Sequence, residues 1–438
     1  MNLLRLIQRN LSQRKLSSCL TILSVALGTM MVCAILVARR EVDEKYLRQA
    51  EGFELVVGPT GSGLELVLNS IYHVEQSPGL LPYSVLGQLQ KQKRYVRAAV
   101  PYALGDSFRG HRVVATNEDL FSKWFPVPAG EGSEKLSQGR PFHCFDYAME
   151  EALEDLRNGT VAEAHEQGHD HAADRQHPNE AVLGSEVARK HGLGVGDKIE
   201  PSHNVEGAKA HSHDDAWEVV GIFKETGTPI DRVVFINLDS FYRIPDHAGG
   251  LLPTTGEPGL SSILLFPRGA HAKITLMSTL RNRSDLQVAE VATQISKLLS
   301  IVGGVREFFL VMAWLVVITG VIGITVAIYN TMNDRRREIA IMRALGARQR
   351  TVMGVIVGEA FALGLFGSLA GLVLGHVLLA AAKSRIVDVS GIHLDATRVL
   401  SEEILALAVV AVAAAVAGLV PAWKAYRTDV ASNLNPIS

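Results

Sequence analysis

Residues 17–38 read SSCLTILSVALGTMMVCAILVA, a run without a single charge. At about 1.5 Å per residue such a helix is roughly 33 Å long, enough to cross the hydrocarbon of a bilayer. The run ends at Arg39 and Arg40 rather than at a small-residue cleavage site, so it reads as a retained anchor and not as a signal peptide. Three further runs follow. One covers Phe308–Asn330, one covers Thr351–Ala382 and is broken only by Glu359, and one covers Ile404–Trp423. Nothing between Arg40 and Gly304 is comparable. The expected fold is therefore a membrane protein of four transmembrane α-helices, one followed by three, with a large α+β extracytoplasmic domain inserted between the first and second.

Working outward, the boundaries are 17–38 for the first span, 39–304 for the outer domain, 305–330 for the second span and 331–350 for an inner loop. The third span is 351–382, an outer loop is 383–403, the fourth span is 404–423 and an inner tail is 424–438. Orientation follows from lysine and arginine near the spans. Arg5, Arg9, Arg14 and Lys15 precede the first; Arg335, Arg336, Arg337, Arg343, Arg348 and Arg350 lie between the second and third; Lys424 and Arg427 follow the fourth. All three segments are assigned to the cytoplasm, and with them both termini. Residues 1–16 carry Leu3, Leu4, Ile7 and Leu11 on one helical face, which reads as an amphipathic helix on the inner membrane surface or as a frayed basic leader.

The composition fits this mixture: 47% of residues are hydrophobic and 20% charged, and a formal net charge of −2 excludes a globally basic nucleic-acid binder. In the outer segment, strand-like runs occur at 53–57, 95–102, 112–116, 217–223, 232–236 and 262–266, each bounded by Gly, Pro, Asn or Asp. Residues 272–282 have helical periodicity, 285–289 reads as a strand, and 291–302 as a helix leading into the second span. With Glu41–Glu51 this makes two stalks, one leaving the first span and one entering the second.

Several chemistries are absent. The dipeptide Gly-Lys occurs nowhere, so no nucleotide P-loop is present and the chain is not expected to hydrolyse ATP. No G-x-S-x-G, H-E-x-x-H or C-x-x-C motif occurs either. Cys19, Cys33 and Cys144 read as buried or inert thiols. Glu359 reads as a lone intramembrane charge, a group that pairs with Arg343, Arg348 or interfacial water, or serves a proton relay.

The most specific stretch is Asn333–Arg350, NDRRREIAIMRALGARQR. Ile339, Ala340, Met342, Arg343 and Leu345 give a short helix with an apolar and a basic face, ended by Gly346. Gly367, Gly371 and Gly375 in the third span form a small-xxx-small face suited to close helix packing. Histidines gather in an insertion at about 160–215: His165, His169, His171 and His177, then His203, His211 and His213, beside Asp170, Asp214 and Asp215. Such density suits Zn, Ni or Cu, with His165, His169, His171, His211 and His213 as the candidate ligands, or it is a solvated loop of biased composition.

The run RREIAIMRALGAR at Arg336–Arg348, with Glu359 after it, resembles the FtsX/MacB/LolC-type permeases of ABC transporters. VLGSEVARKHGLGVGDK at Val182–Lys198 and WEVVGIF at Trp217–Phe223 are similar to the periplasmic core domain of that family, and GLVPAWKAYR at Gly418–Arg427 to its tail. The tail's usual D-P-x-x-A-L ending is degenerate here, at Asn433–Ile437. The resemblance implies a permease of the mechanotransmission type in the bacterial inner membrane. Two copies, identical or different, would pair with a separate ABC ATPase that holds the ATP and Mg²⁺, and an extracytoplasmic partner or cargo would meet the outer domain. In this reading Arg336, Arg337, Glu338, Ile339, Ala340, Met342, Arg343, Ala344, Leu345, Gly346, Ala347 and Arg348 form the coupling helix and its exit. The histidine insertion lies outside the resemblance and supports an alternative, a metal-handling membrane component or metal-responsive regulator.

Overall fold

The computed structural model describes residues 7–9, 12, 15–74, 77–123, 125–126, 135–144, 149–150, 153–154, 178–203, 211–212, 216–243, 252, 255–334, 336–390 and 397–426. The chain divides into two compact units, residues 1–44 with 300–438, and residues 45–299. Leu3, Leu4, Arg5 and Leu11 of the expected amphipathic helix lie outside the described residues, as does the chain beyond Tyr426.

The first unit is helical. Among the described residues, four helices are long and apolar enough to cross a membrane, with candidate spans at Lys15–Glu41, Val291–Met332, Gln349–Lys383 and Ser401–Lys424. The first belongs to helix α1 (Lys15–Ala50) and the second to α7 (Val291–Asp334). Each helix is unbroken. The 44 residues of α7 extend about 66 Å, twice the roughly 30 Å a bilayer core requires. The helix expected at 291–302 is thus the beginning of the second span's own helix. The third span belongs to α9 (Gln349–Ser390), which runs past the expected limit at Ala382. The fourth is interrupted at Gly418, with α10 (Ser401–Ala417) followed by α11 (Leu419–Tyr426). Apolar side chains of all four meet in one core around Val25, Val317, Ile356 and Val410.

The second unit is built on one mixed sheet. Its strands are β1 (Leu55–Gly58), β3 (Val96–Phe108), β4 (His111–Thr116), β5 (Leu136–Gly139), β6 (Glu180–Leu183), β7 (Lys198–Ile199), β8 (Ser202–His203), β9 (His211–Ser212), β10 (Trp217–Phe223), β11 (Val234–Asn237), β13 (Ser262–Pro267) and β14 (Gln287–Glu290). The order is β14-β1-β13-β3-β4-β11-β6-β10-β5, with β7 on β10, and β9 reaching β3 through β8. A separate two-stranded pairing joins β2 (Leu81–Pro82) to β12 (Gly259–Leu260). Among the described residues only β4–β11 and β6–β10 are parallel.

The thirteen-residue β3 holds the unit together: its first half pairs with β13 and its second half with β4. Sequence periodicity stops this strand at Tyr102, because Leu104–Ser107 contains a register shift that breaks the alternation. Expected strand 232–236 begins instead at Val234, after a 3₁₀ turn at Pro229–Arg232, and expected strand 285–289 begins at Gln287.

Both faces of the sheet are covered, which is why β1, β6, β11 and β13 are buried at every position instead of alternating. One face packs Val57, Ala103, Val113 and Ile236 under α3 (Ser84–Gln90), α4 (Ser185–His191), α5 (Leu238–Tyr242) and α6 (Ala270–Arg281). The other packs Val56, Val100, Val114 and Phe235 under α2 (Gly63–Ile71) and the first turn of α7. Buried Lys135 ties an adjoining loop by donating to the carbonyls of Leu120, Ser122 and Phe125 at 3.3, 2.5 and 2.8 Å.

His73 follows α2 with φ +54° and stacks its ring near Tyr102 at 6.1 Å and edge-on to Phe235 at 6.3 Å. Its Nδ1 is enclosed without a hydrogen-bond partner. Burial first, and the Arg112 charge second, push its pKa down to about 3. Between an ordinary value of about 6.5 and that lowered value, the unfolded chain binds a proton that the native state refuses. Stability from this residue is therefore complete above about pH 6.5 and falls by up to about 1.4 kcal/mol per pH unit as pH drops toward 3. Urea midpoints of the outer unit at pH 7 and pH 5 test this: His73→Phe should reduce the difference, and an unchanged difference would refute the assignment.

Candidate functional site

Helix α8 (Arg336–Ala344) lies in the loop between the second and third spans. Its end is set by hydrogen bonds of the Schellman type: Ala347 N–H donates to the Met342 carbonyl at 3.0 Å and Gly346 N–H to the Arg343 carbonyl at 3.0 Å. Gly346 adopts φ +96°, a conformation costly for any residue with a Cβ, and so provides the stop expected at that position. Thr351 N–H then donates to the Arg348 carbonyl as α9 begins.

The two sides of α8 differ. Ile339 and Ala340 are buried and, with Met342 half-buried, pack onto the bundle near Met332, Val352 and Ile356. Ile341 is 44% and Leu345 83% exposed, and Arg348 and Arg350 are exposed nearby. The apolar face expected from Ile339 to Leu345 is therefore split: one part fixes the helix to its own chain and the other is presented outward. Ile341 is absent from the candidate set read from sequence, although its i, i+4 relation to Leu345 is the signal that identifies it. Arg336, Arg337 and Glu338 form the first turn, Arg343 is half-buried, and Glu359 is buried on α9 about three turns after its start.

The glycine row on α9 faces α1. A methyl group on Gly367 would stand 2.7 Å from Val25 Cβ, on Gly371 2.6 Å from both the Ala26 carbonyl and Thr29 Cβ, and on Gly375 3.2 Å from the Met30 carbonyl. The approach is backbone to backbone, a contact only glycine permits.

A polar cluster joins α1, α9 and the start of α10. Glu403 is fully buried in the first turn of α10, where it accepts from the Leu400 N–H at 2.7 Å and stands 3.3 Å from His376 Nε2 of α9. The Cys33 thiol of α1 lies beside the same carboxylate. Two expectations need correction. Glu403 belongs to a helix starting at Ser401 and not to an outer loop ending at 403, and Glu359 is not the lone acidic group inside the bundle. Hydropathy places the boundary after Glu402 and Glu403 because two adjacent acids outweigh the apolar run that follows. A buried carboxylate stripped of its partner costs several kcal/mol, whereas apolar replacement of both partners is close to neutral. Glu403→Ala or His376→Ala should each lower the thermal midpoint of the detergent-solubilised chain, and Glu403→Leu with His376→Leu should recover most of the loss. A double variant that loses as much as the sum of the single changes would show that the two groups do not act as a pair.

The thiols differ from one another. Cys33 is buried, whereas Cys19 is exposed. Cys144 donates to the Thr116 carbonyl at 3.4 Å, and burial raises its pKa, so it is a poor nucleophile. Of the candidate metal ligands, His165, His169, His171 and His213 lie outside the described residues, and His211 sits in β9.

Comparison with known proteins places these features in a family. The model of the MacB-like periplasmic core domain matches residues 18–298, and that of the FtsX-like permease C-terminal matches residues 310–430. An uncharacterised ABC transporter permease of Methanocaldococcus jannaschii is 30% identical over 169 residues, 38% of this chain and 41% of that protein. The pyoverdine export ATP-binding/permease protein PvdT of Pseudomonas syringae pv. tomato is 29% identical over 258 residues, 57% of this chain and 36% of PvdT. The lipoprotein-releasing system transmembrane protein LolC of Neisseria meningitidis serogroup B is 25% identical over 228 residues, 49% of this chain and 52% of LolC. The chain thus spans between about a third and about half of the length of these curated relatives. The solved periplasmic region of MacB from Actinobacillus actinomycetemcomitans aligns with 58% of this chain and 97% of its own at a TM-score of 0.32 and 13% identity. With the periplasmic-core model alone covering residues 18–298 and the permease model most of the remainder, the chain belongs to the ABC transporter permeases of the FtsX/MacB/LolC type.

Proposed function

We propose that this permease transmits ATP hydrolysis by a separate ATPase subunit into movement of its extracytoplasmic domain, with both termini and α8 in the cytoplasm. The observation that carries the reading is the divided helix α8. A short helix locked to the bundle through Ile339 and Ala340 while Ile341 and Leu345 stand exposed among arginines has the form of a docking element. No Gly-Lys dipeptide and hence no P-loop occurs in these residues, and in this reading ATP and Mg²⁺ belong to the ATPase subunit. Export, extraction or signalling at the outer face is the class of work. LolC is named for lipoprotein release and PvdT for pyoverdine export, and the cargo of this chain is not chosen from those names.

Two copies of the chain, each with its own α8, would engage two ATPases. Long helices such as α1 and α7, without an internal break, suit the transmission of force along their axes. Affinity purification of the chain in mild detergent, with mass spectrometry of what accompanies it, tests the reading. An ABC ATPase should copurify and its hydrolysis should be stimulated. Purification of a stable chain without any ATPase, from cells that express one, would refute it.

A further inference from the structure

We propose that the second unit carries an acid-sensitive latch between the end of α4 and the tip of the β3–β4 hairpin, closed on neutral His111 and His191 and opened when they take up protons. The hairpin turns through Arg109 and Gly110, at φ +49° and +83°, and the flanking residues Phe108 and His111 pair across it. His191 is the last residue of α4. Its ring packs T-shaped on His111, with centroids 5.2 Å apart, and on Phe108 at 5.8 Å.

His111 is buried, and its Nδ1 stands 3.0 Å from the Arg232 carbonyl. A carbonyl only accepts, so Nδ1 carries the proton and Nε2 is bare. The Nε2 atoms of His111 and His191 are both enclosed without a hydrogen-bond partner. A proton added to His111 therefore creates a buried N–H that nothing accepts. The surrounding charges oppose it as well: Arg109 in the hairpin turn, Lys190 on α4 and Arg232 in the 3₁₀ turn. Glu186 of α4 lies against Arg232, its Oε1 3.8 Å from Nε. Burial first lowers the pKa of both rings from about 6.5; the Arg232 carbonyl offsets part of this for His111, and Lys190 adds to it for both. An opened latch exposes rings that protonate as pH falls through about 6.5, whereas the closed latch refuses those protons. Closure is thus complete above that pH and weakens below it, by up to about tenfold per ring at pH 5.5. Val187 and Ala188 stay anchored in the core, so opening is confined to the last turn of α4 and the hairpin tip. His73 belongs to the other core and acts on the stability of the whole unit, not on this contact.

Hydrogen exchange of the full chain in detergent, read by mass spectrometry and corrected for the intrinsic pH dependence of amide exchange, tests the proposal. The N–H groups of Gly192 and Leu193 both donate to the Ala188 carbonyl and so report the end of α4. Their protection should fall by about tenfold or more between pH 7.5 and pH 5.5. In the double variant His111→Asn, His191→Gln, whose polar side chains do not titrate, it should change by less than about twofold. Lys190→Glu, at an exposed position, leaves both rings in place and should shrink the wild-type fall, because it eases their protonation in the closed state. Unchanged protection in the wild type, an equal fall in the double variant, or an undiminished fall with Lys190→Glu overturns the latch.

Discussion

Glutamate at both Ile341 and Leu345 is expected to abolish copurification of the ATPase while leaving the permease itself intact in detergent. At 44% and 83% exposure these side chains lend their own chain little packing, so their replacement removes little from the fold. Seated in a partner's groove, each would contribute about 1.5–3 kcal/mol through burial, and a carboxylate forced into that groove adds an unpaired buried charge. The sum is at least about 4 kcal/mol, a loss of about a thousandfold in affinity. Ile339→Glu supplies the contrast. That position is 4% exposed within the bundle, so the substitution should destroy the monodisperse permease before any question of partner binding arises. Arg343→Glu should weaken association less than the aliphatic pair does, in a salt-dependent manner. Retained ATPase with the double glutamate variant would sink the docking assignment.

The other large effect is expected at Gly371. Valine there would drive its Cβ to 2.6 Å from the Ala26 carbonyl and from Thr29 Cβ and 2.9 Å from the Met30 nitrogen. Two of those atoms are backbone and cannot rotate away, so α1 and α9 must separate. Overpacking of a tight core costs about 1–3 kcal/mol when side chains can adjust, and the cost here should reach or pass the upper end of that range. Gly354 on the same helix is the control, since nothing lies within 4 Å of a Cβ at that position. Gly354→Val should melt close to wild type, within about 0.5 kcal/mol, and Gly371→Val well below it. Equal melting temperatures for the two variants would rule out the close packing of α1 on α9. Alanine at Gly375, where the nearest atoms are 3.2 and 3.3 Å away, should fall between them.

The four spans were legible in the sequence because the requirement a bilayer imposes is local. About 20 consecutive residues must be apolar whatever they touch, and residues 17–38, 308–330, 351–382 and 404–423 meet it in isolation. The strand at Trp217–Phe223 and the stop at Gly346 were legible for the same kind of reason, since β-branched residues and a glycine after a helical run act through their own backbone. Family membership was readable from contiguous motifs as well.

Tertiary structure alone decided the rest. Composition marks α8 as amphipathic, but only its packing shows that Ile339 is spent on the bundle while Ile341 and Leu345 remain exposed. Glu403 and His376 lie 27 positions apart and look like a loop acid and a stray span residue until α9 and α10 bring them to 3.3 Å. Hydropathy and propensity are properties of one segment, so they determined which elements form. Partner choice, register and the division between buried and presented faces depend on residues far apart in the chain, and those were settled only when the elements packed.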